Sequence, residues 1–403
     1  MDIRLLLLAG GAFAIGTGSL VVTGILPNLA AAFGVSVDSA GLLVSIFAIA
    51  YAIGSPVLST LLGNLDRKLV LVGSLAVFTL ANLVAAFTSD FAWLMLARIV
   101  MALGSGVFMP AANAVAVALV PAERRARAIA LVTGGMTVSL ILGVPLGTAV
   151  ATLGWHFAFL TVALFGALAL AGLLFKMPAG LPRGANTLAE RLQVARRGDV
   201  LLALGTTALW TTGAFTLYTY VAPFLAAHAG ITGHWLSATL VLTGIGSALG
   251  NQLGGQASDR FGPVPTLTFV LTLLATSLAA ASLVAVTLAP AVAIFVLPAV
   301  LTIWSGAGWA GHPSQMSRLA AMAPEAAVVA LSLNASALYV GIAAGAGLGQ
   351  QVLRHGASWQ LGFVGAACEF GALALLLIAI RRRRAARREA DRVSTIAIAP
   401  PVR

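Results

Sequence analysis

Residues 91–120, FAWLMLARIVMALGSGVFMPAANAVAVALV, form an apolar run broken by a single charge, Arg98. About 20 apolar residues at a rise of 1.5 Å cross the hydrocarbon core of a bilayer, so the run predicts a membrane-spanning helix. An arginine inside such a helix costs at least about 2.5–3.5 kcal/mol on insertion scales, and it is expected to face a cavity or a partner rather than lipid. Gly104 and Gly106, one to two turns on, let a neighbouring helix approach closely. The run stops at Pro121 and passes into Glu123, Arg124, Arg125 and Arg127, a charged turn that belongs in water. A buried cation on a small-residue helix points to a pathway for a solute.

Composition narrows the class. Of 403 residues, 60% are hydrophobic and 9% charged, which in a soluble domain would leave very large apolar patches exposed. The apolar runs are too long for barrel strands, so an all-helical membrane protein is expected. One cysteine, Cys368, excludes an internal disulfide framework and a multi-cysteine metal site. The net charge of +11 is better explained by the positive-inside rule than by a nucleic-acid partner, and none is expected. HExxH, GxSxG and Walker-type motifs are missing and the histidines are scattered. No enzymatic activity, catalytic residue, cofactor or metal is therefore expected, and the energy source would be an ion gradient. The first apolar run, from Leu5 to about Ala32, exceeds the 7–15 residues of a signal-peptide core and reads as an uncleaved first span.

Twelve spans are predicted, at roughly 5–32, 39–62, 69–88, 91–120, 128–152, 156–176, 200–227, 235–256, 264–288, 290–316, 327–353 and 358–380. The expected architecture is an all-α polytopic membrane protein with twelve transmembrane helices in two pseudo-symmetric six-helix bundles. Residues 1–176 make the first bundle, 177–198 a polar linker, 199–380 the second bundle and 381–403 a basic tail. With both ends on one side, 21 of the 23 basic residues fall on the amino-terminal side, leaving Arg98 inside the membrane and Arg354 opposite. Both termini are thus expected in the cytoplasm. The arginines after residue 380 would anchor the chain to anionic lipid, at roughly 1 kcal/mol per basic residue near the surface. The halves also resemble each other. LPNLAAAFGVS (26–36) matches APFLAAHAGIT (222–232), pairing Pro27 with Pro223 and Gly34 with Gly230. GNLDRK (63–68) resembles GGQASDRFG (254–262), Gly104 and Gly106 recur as Gly306 and Gly308, and Pro121-Ala-Glu123 recurs as Pro324-Glu325. Parallel repeats of six spans with a midplane site between them are a transporter architecture.

These residues carry a family resemblance. Asp66-Arg67-Lys68 after span 2, Arg98 with Gly104 and Gly106 in span 4, and Gly134, Gly143, Pro145 and Gly147 in span 5 resemble the major facilitator superfamily. Gly255, Asp259, Arg260 and Gly262 echo the first motif. Within that superfamily the chain looks like the twelve-span drug:proton antiporters, nearest the arabinose-efflux and chloramphenicol-resistance branch, which the stretch GTGSLVVTGILPNLA (16–30) also resembles. The resemblance implies alternating access, export, a bacterial plasma (inner) membrane location and a monomer. It implies that Arg98 serves proton coupling and that Gly104, Gly106, Gly134, Gly143, Pro145 and Gly147 serve helix packing, Pro145 by bending span 5 where the halves meet.

The Asp-Arg loops have a physical rationale as gates. A carboxylate at a helix start, Asp66 or Asp259, caps the helix and pairs with arginine across a helix junction, holding one access state closed with Arg67 and Arg260. The pattern is fuller around Asp259, since the first copy lacks the later glycine. Proton coupling needs an acid, and the span 1 positions that carry acids in the branch are Ser19 and Asn28 here. Asp38 and Glu369 remain as carboxylates in or near the membrane. Asp38 opens span 2, where helix capping competes with proton carriage. Glu369 lies near the middle of span 12, where a neutral packed carboxyl and a proton acceptor are equally open readings.

The pathway is expected to be lined by Trp210, Thr211, Phe215 and Tyr218 of span 7, Trp304 and His312 of span 10, and Asn334 and Tyr339 of span 11. Asn113 of span 4 and Met136 and Thr137 of span 5 complete the set. Aromatic faces with a few hydroxyls and amides suit a neutral organic solute. A cation at Arg98 without a facing acid disfavours cationic solutes, so a neutral or weakly anionic substrate is predicted, such as an amphenicol, nucleoside or sugar-like metabolite. Proton-coupled efflux leads. The alternatives are an uptake symporter or uncoupled facilitator, and a non-transporting membrane receptor.

Overall fold

Short polar side chains set the first helix starts. Asp2, Ser36, Asp66 and Asp90 each stand before a long apolar run and accept a backbone N–H of the first turn. The computed structural model describes residues 2–121, 124–178, 180, 193, 196–323 and 326–398. Most of the anticipated linker, the Pro324-Glu325 turn, Glu123 and the tail side chains from Arg383 onward lie outside the described residues.

The membrane helices are α1 (Ile3–Phe33), α2 (Val37–Leu61), α3 (Arg67–Phe87), α4 (Phe91–Ala118), α5 (Arg127–Leu153) and α6 (His156–Lys176). They continue as α7 (Gly198–Tyr218), α8 (Gly233–Phe261), α9 (Pro263–Thr287), α10 (Pro290–Met322), α11 (Ala327–His355) and α12 (Gln360–Ile398). Among the described residues, 11 helices are apolar and long enough to cross a membrane. The twelfth, α8, is 29 residues long but carries Asn251, Gln252, Gln256, Asp259 and Arg260, which lower its hydropathy.

Pairings in the two halves correspond under a shift of six helices. In the first half α1 packs on α5 and α6, α3 on α4 and α6, and α2 on α4. In the second, α7 packs on α11 and α12, α9 on α10 and α12, and α8 on α10. Among the described residues the halves join chiefly where α2 meets α11, α5 meets α8, and α1 meets the segment Val221–Ala229 that follows α7. Two six-helix bundles related by pseudo-symmetry result. Local geometry repeats too, since Gly34 (φ 62°) and Gly230 (φ 64°) both end a helix in the left-handed region. The copies then diverge: α1 is continuous through Pro27, whereas α7 breaks at Thr219 and Tyr220, four and three residues before Pro223.

Small residues let the helices close up in the absence of a hydrophobic drive between them. Gly246, Gly250 and Gly254 of α8 lie against the backbone of α10 at Thr302, Gly306 and Ala310. Gly341, Gly345 and Gly349 of α11 grip α7 in the same way. Buried hydroxyls bond back to their own helix, as Thr17 does to the Phe13 carbonyl at 2.8 Å. In α5 a π-helical turn at Ser139–Gly143 precedes Pro145, whose missing N–H disturbs the ladder there.

The apolar core runs through both bundles. A second cluster, including Val200, Leu319, Met322 and Val329, stays within the carboxy-terminal bundle on the face where both chain ends lie. That bundle therefore packs on itself at the terminal face, while the halves share packing at the midplane and toward the opposite face.

Candidate functional site

Arg98 lies about 10 Å along α4 from its first residue, at 1.5 Å per residue, and is 0% exposed. Its guanidinium donates to the Gly18 carbonyl at 2.7 Å, the Ser19 carbonyl at 3.2 Å and the Leu43 carbonyl at 3.2 Å. The ring of Phe47 lies 4.2 Å beneath it. Carbonyl dipoles and a ring face thus meet the positive charge, and the planar fork ties α4 to α1 and α2. Of the two expected surroundings, a cavity or a partner, Arg98 is held by partners on three helices of one bundle, with Ser19 and Arg98 both acting on Tyr339 of the other half.

The halves meet at a cluster of rings. Tyr51 of α2 and Tyr339 of α11 stack across the junction with centroids 3.6 Å apart and planes 18° apart. Tyr218 packs on Phe215 at 5.5 Å and on Trp304 at 5.8 Å, and it reaches Thr23 of α1 in the other half. Tyr220, at the α7 break, packs on Gly41 and donates to the Ala346 carbonyl at 3.0 Å. All 4 tyrosines of the chain thus sit at this junction. Tyr51 and Thr23 escaped the sequence reading; the rarity of tyrosine, and its placement inside spans, was the available signal. Trp304 Nε1 and Asn113 Oδ1 are buried without a hydrogen-bond partner among the described residues, an unused donor and an unused acceptor.

Toward the terminal face, His312 lies between Trp210 at 5.1 Å and Trp309 at 5.0 Å. Asn334 accepts from Thr207 at 2.7 Å, and Gln315 donates to Thr207 at 2.9 Å and to the Ala203 carbonyl at 2.7 Å. Arg318 donates to Gln315 at 3.3 Å. Asn334 is therefore a member of a buried network joining α7, α10 and α11. Thr211 also departs from expectation: its hydroxyl donates to the Thr207 carbonyl at 2.8 Å and packs against Gly341, so it is a helix contact. Met136 and Thr137 are partly buried on α5 and join neither ring cluster.

The packing residues divide. Gly104 abuts the Ser74 carbonyl, Gly106 abuts Ser55, Gly143 abuts Thr17 and Gly147 abuts Val21. Gly134 faces open space, and its neighbour Gly135 meets the Ala9 carbonyl instead, one residue and about 100° of helix away.

The anticipated gates divide as well. Asp66 caps α3 by accepting from Lys68 N–H at 2.7 Å, and its second oxygen accepts from Gly180 N–H at 2.7 Å. Asp259, expected to be the firmer copy, lies exposed in the last turn of α8, and Gly262 stands at the start of α9. It caps no helix. Arg260 extends over Phe261 at 5.3 Å. On the opposite face Ser36 caps the start of α2, so Asp38 is not the cap; its carboxylate accepts from Arg354 of α11 at 2.6 Å, joining the halves. Glu369 is 0% exposed, and neither carboxyl oxygen has a hydrogen-bond partner among the described residues.

Comparison with known proteins follows the same lines. The model of the Major Facilitator Superfamily matches residues 8–346. The inner membrane transport protein YdhP of Escherichia coli (strain K12) is 35% identical over 94% of this chain and 96% of its own length. A chloramphenicol resistance protein of Streptomyces lividans is 36% identical over 64% of this chain and 68% of its own. In fold, a bacterial homologue of the human lysosomal transporter Spinster, crystallised inward-facing and occupied, superposes with a TM-score of 0.74 at 18% identity, covering 94% of this chain and 96% of that one. A chain with this helix order, this internal symmetry and these relatives belongs to the Major Facilitator Superfamily and is a multi-pass membrane transporter.

Proposed function

We propose that the protein exports a neutral or weakly anionic small organic solute by alternating access in exchange for protons. The observation that carries this is the ring junction between the halves: Tyr51 on Tyr339, and Tyr218 on Trp304 and Phe215. It offers aromatic faces and an unused indole N–H, and Asp38, the carboxylate that acts on Tyr220, is engaged by Arg354. Because Arg98 is occupied by carbonyls, the site selects by shape and neutral hydrogen bonding more than by charge. The similarity to a chloramphenicol resistance protein supports export of a neutral drug-like molecule. Both termini face the cytoplasm in this reading, the membrane is a bacterial inner membrane, the basic tail lies on anionic lipid, and the unit is a monomer.

Purified full-length chain in proteoliposomes provides the test. Counterflow is measured for chloramphenicol, an anionic and a cationic solute (tetraphenylphosphonium), each at two pH values. Exchange of the neutral probe without exchange of the cation is expected. Cation movement that disappears on changing Trp210, Phe215 or Tyr218 would overturn the reading. Ser19 and Asn28, where the resembled branch carries acids, favour a second reading: an uptake symporter or uncoupled facilitator. Transport that ignores an imposed pH gradient would establish an uncoupled facilitator, and solute accumulation along with inward proton flow would establish a symporter.

A further inference from the structure

One titratable group inside the membrane has no role in the pathway described above. Glu369 lies about 14 Å along α12 from Gln360 and about 18 Å before Arg381, near the middle of the span. It is pressed against α7 at Gly213, where a side-chain carbon would lie 3.1 Å from Glu369 Oε1 and 2.6 Å from the Gly365 carbonyl. A side chain at position 213 would crowd both the carboxyl and the Gly365 backbone. The neighbouring α9 carries no ionisable residue. The remaining titratable or charged groups on the helices packed around it are Asp199 and Tyr218 of α7, Tyr339, Arg354 and His355 of α11, and adjacent Cys368. None of them hydrogen-bonds to Glu369.

The two other coupling candidates are committed elsewhere, Arg98 to three carbonyls and Asp38 to Arg354. Charge on a carboxylate in this buried, partnerless packing is strongly disfavoured, so the group resides there as the acid. We propose that Glu369 is the proton-carrying site, holding its proton while α7 is packed on α12 and releasing it when α7 moves away and water enters. This rests on the proton-exchange reading above. In the release step the carboxyl O–H bond breaks, the proton passes to water and a carboxylate remains; reprotonation from the other face reverses it. The link to solute is α7 itself, which carries Trp210, Phe215 and Tyr218 and is gripped on its other side by Gly341, Gly345 and Gly349. An ionised Glu369 is disfavoured while it is buried against Gly213 without a hydrogen-bond partner, so its charge favours the arrangement in which α7 and its rings are displaced.

The test has two arms on the full-length chain. Infrared difference spectroscopy across a pH titration should give a carboxylic C=O band that moves in D2O and is lost in Glu369→Gln. In proteoliposomes, with tritiated chloramphenicol as probe, Glu369→Gln should retain counterflow yet lose accumulation driven by a pH gradient. Glu369→Asp, a second variant that keeps the acid, should shift the band and retain gradient-driven movement. The proposal is overturned if Glu369→Gln leaves the titrating band in place, or if its gradient-driven transport equals that of the parent chain. Failure of the parent chain to move chloramphenicol would count against the neutral-solute reading, with the infrared titration still deciding the proton site.

Discussion

Arg98 and Glu369 are both 0% exposed and both lie within membrane helices, yet their surroundings are opposite. The arginine has three carbonyl acceptors and a ring face; the glutamate has no partner for either oxygen. A permanent charge must be met by fixed dipoles wherever it is buried, because guanidinium does not shed its proton. A carboxyl can neutralise itself, so its surroundings need supply nothing until it ionises. The first arrangement makes a strut, and the second makes a group whose charge depends on packing.

Substitution at Arg98 is expected to have the largest effect. Arg98→Met removes hydrogen bonds worth about 1.5–3 kcal/mol each when the donor is charged, so a loss of about 3 kcal/mol or more is expected, even with partial compensation along α1. Thermal unfolding of purified protein should show it, and Arg98→Lys should recover only part, since a point charge cannot reach three acceptors. Glu369→Gln should instead lie within about 1 kcal/mol of the parent chain, because no interaction is removed. A collapse of Glu369→Gln comparable with that of Arg98→Met would erase the contrast between the two sites. Gly213→Ala falls between them: the new methyl meets the Gly365 carbonyl and Glu369, an overpacking of about 1–3 kcal/mol read as a lower Tm.

Much of the fold was legible in the sequence because bilayer thickness fixes helix length and charge fixes the turns. The six-helix repeat was legible in Gly34 and Gly230, where a left-handed helix end demands the same residue twice. Rotation about each helix axis was not. A helix that is apolar on every side has no polar stripe to say which face meets a neighbour. Gly134 was read for Gly135, and Thr211 was assigned to the pathway although it packs on Gly341. Side-chain pairing across the halves was equally hidden. Arg354 stood out as the one cation expected on the opposite face, but nothing in the chain linked it to Asp38, 316 residues away.

That pair extends the comparison to a charge near water. Asp38 and Arg354 have side chains 14% and 48% exposed, so their attraction is screened and worth about 0.2–1 kcal/mol. Asp38→Asn should barely change Tm. It should increase labelling of single cysteines introduced near the midplane by a membrane-impermeant reagent added from the opposite face. The double exchange of Asp38→Arg with Arg354→Asp should restore the parent rate. Unchanged labelling in Asp38→Asn would mean that Tyr220 on Gly41 and the stacked Tyr51 and Tyr339 close this face without help from charge.

A further difference lies between the repeated Asp-Arg loops, where exposed and partly engaged carboxylates are set side by side. Asp66 satisfies two backbone N–H groups, one at the start of α3 and one at Gly180, while Asp259 is exposed within the last turn of α8. Losing a helix cap typically costs about 1 kcal/mol, whereas exposed substitutions stay within about 0.5 kcal/mol. Asp66→Ala should therefore lower Tm measurably and Asp259→Ala should not. The sequence pattern alone argues the reverse, being fuller around Asp259. If Asp259→Ala proves the more damaging to transport while leaving Tm unchanged, its carboxylate acts in an arrangement of the halves other than this one. The fuller pattern would then reflect the alternate state, in which the terminal ends of the two bundles come together.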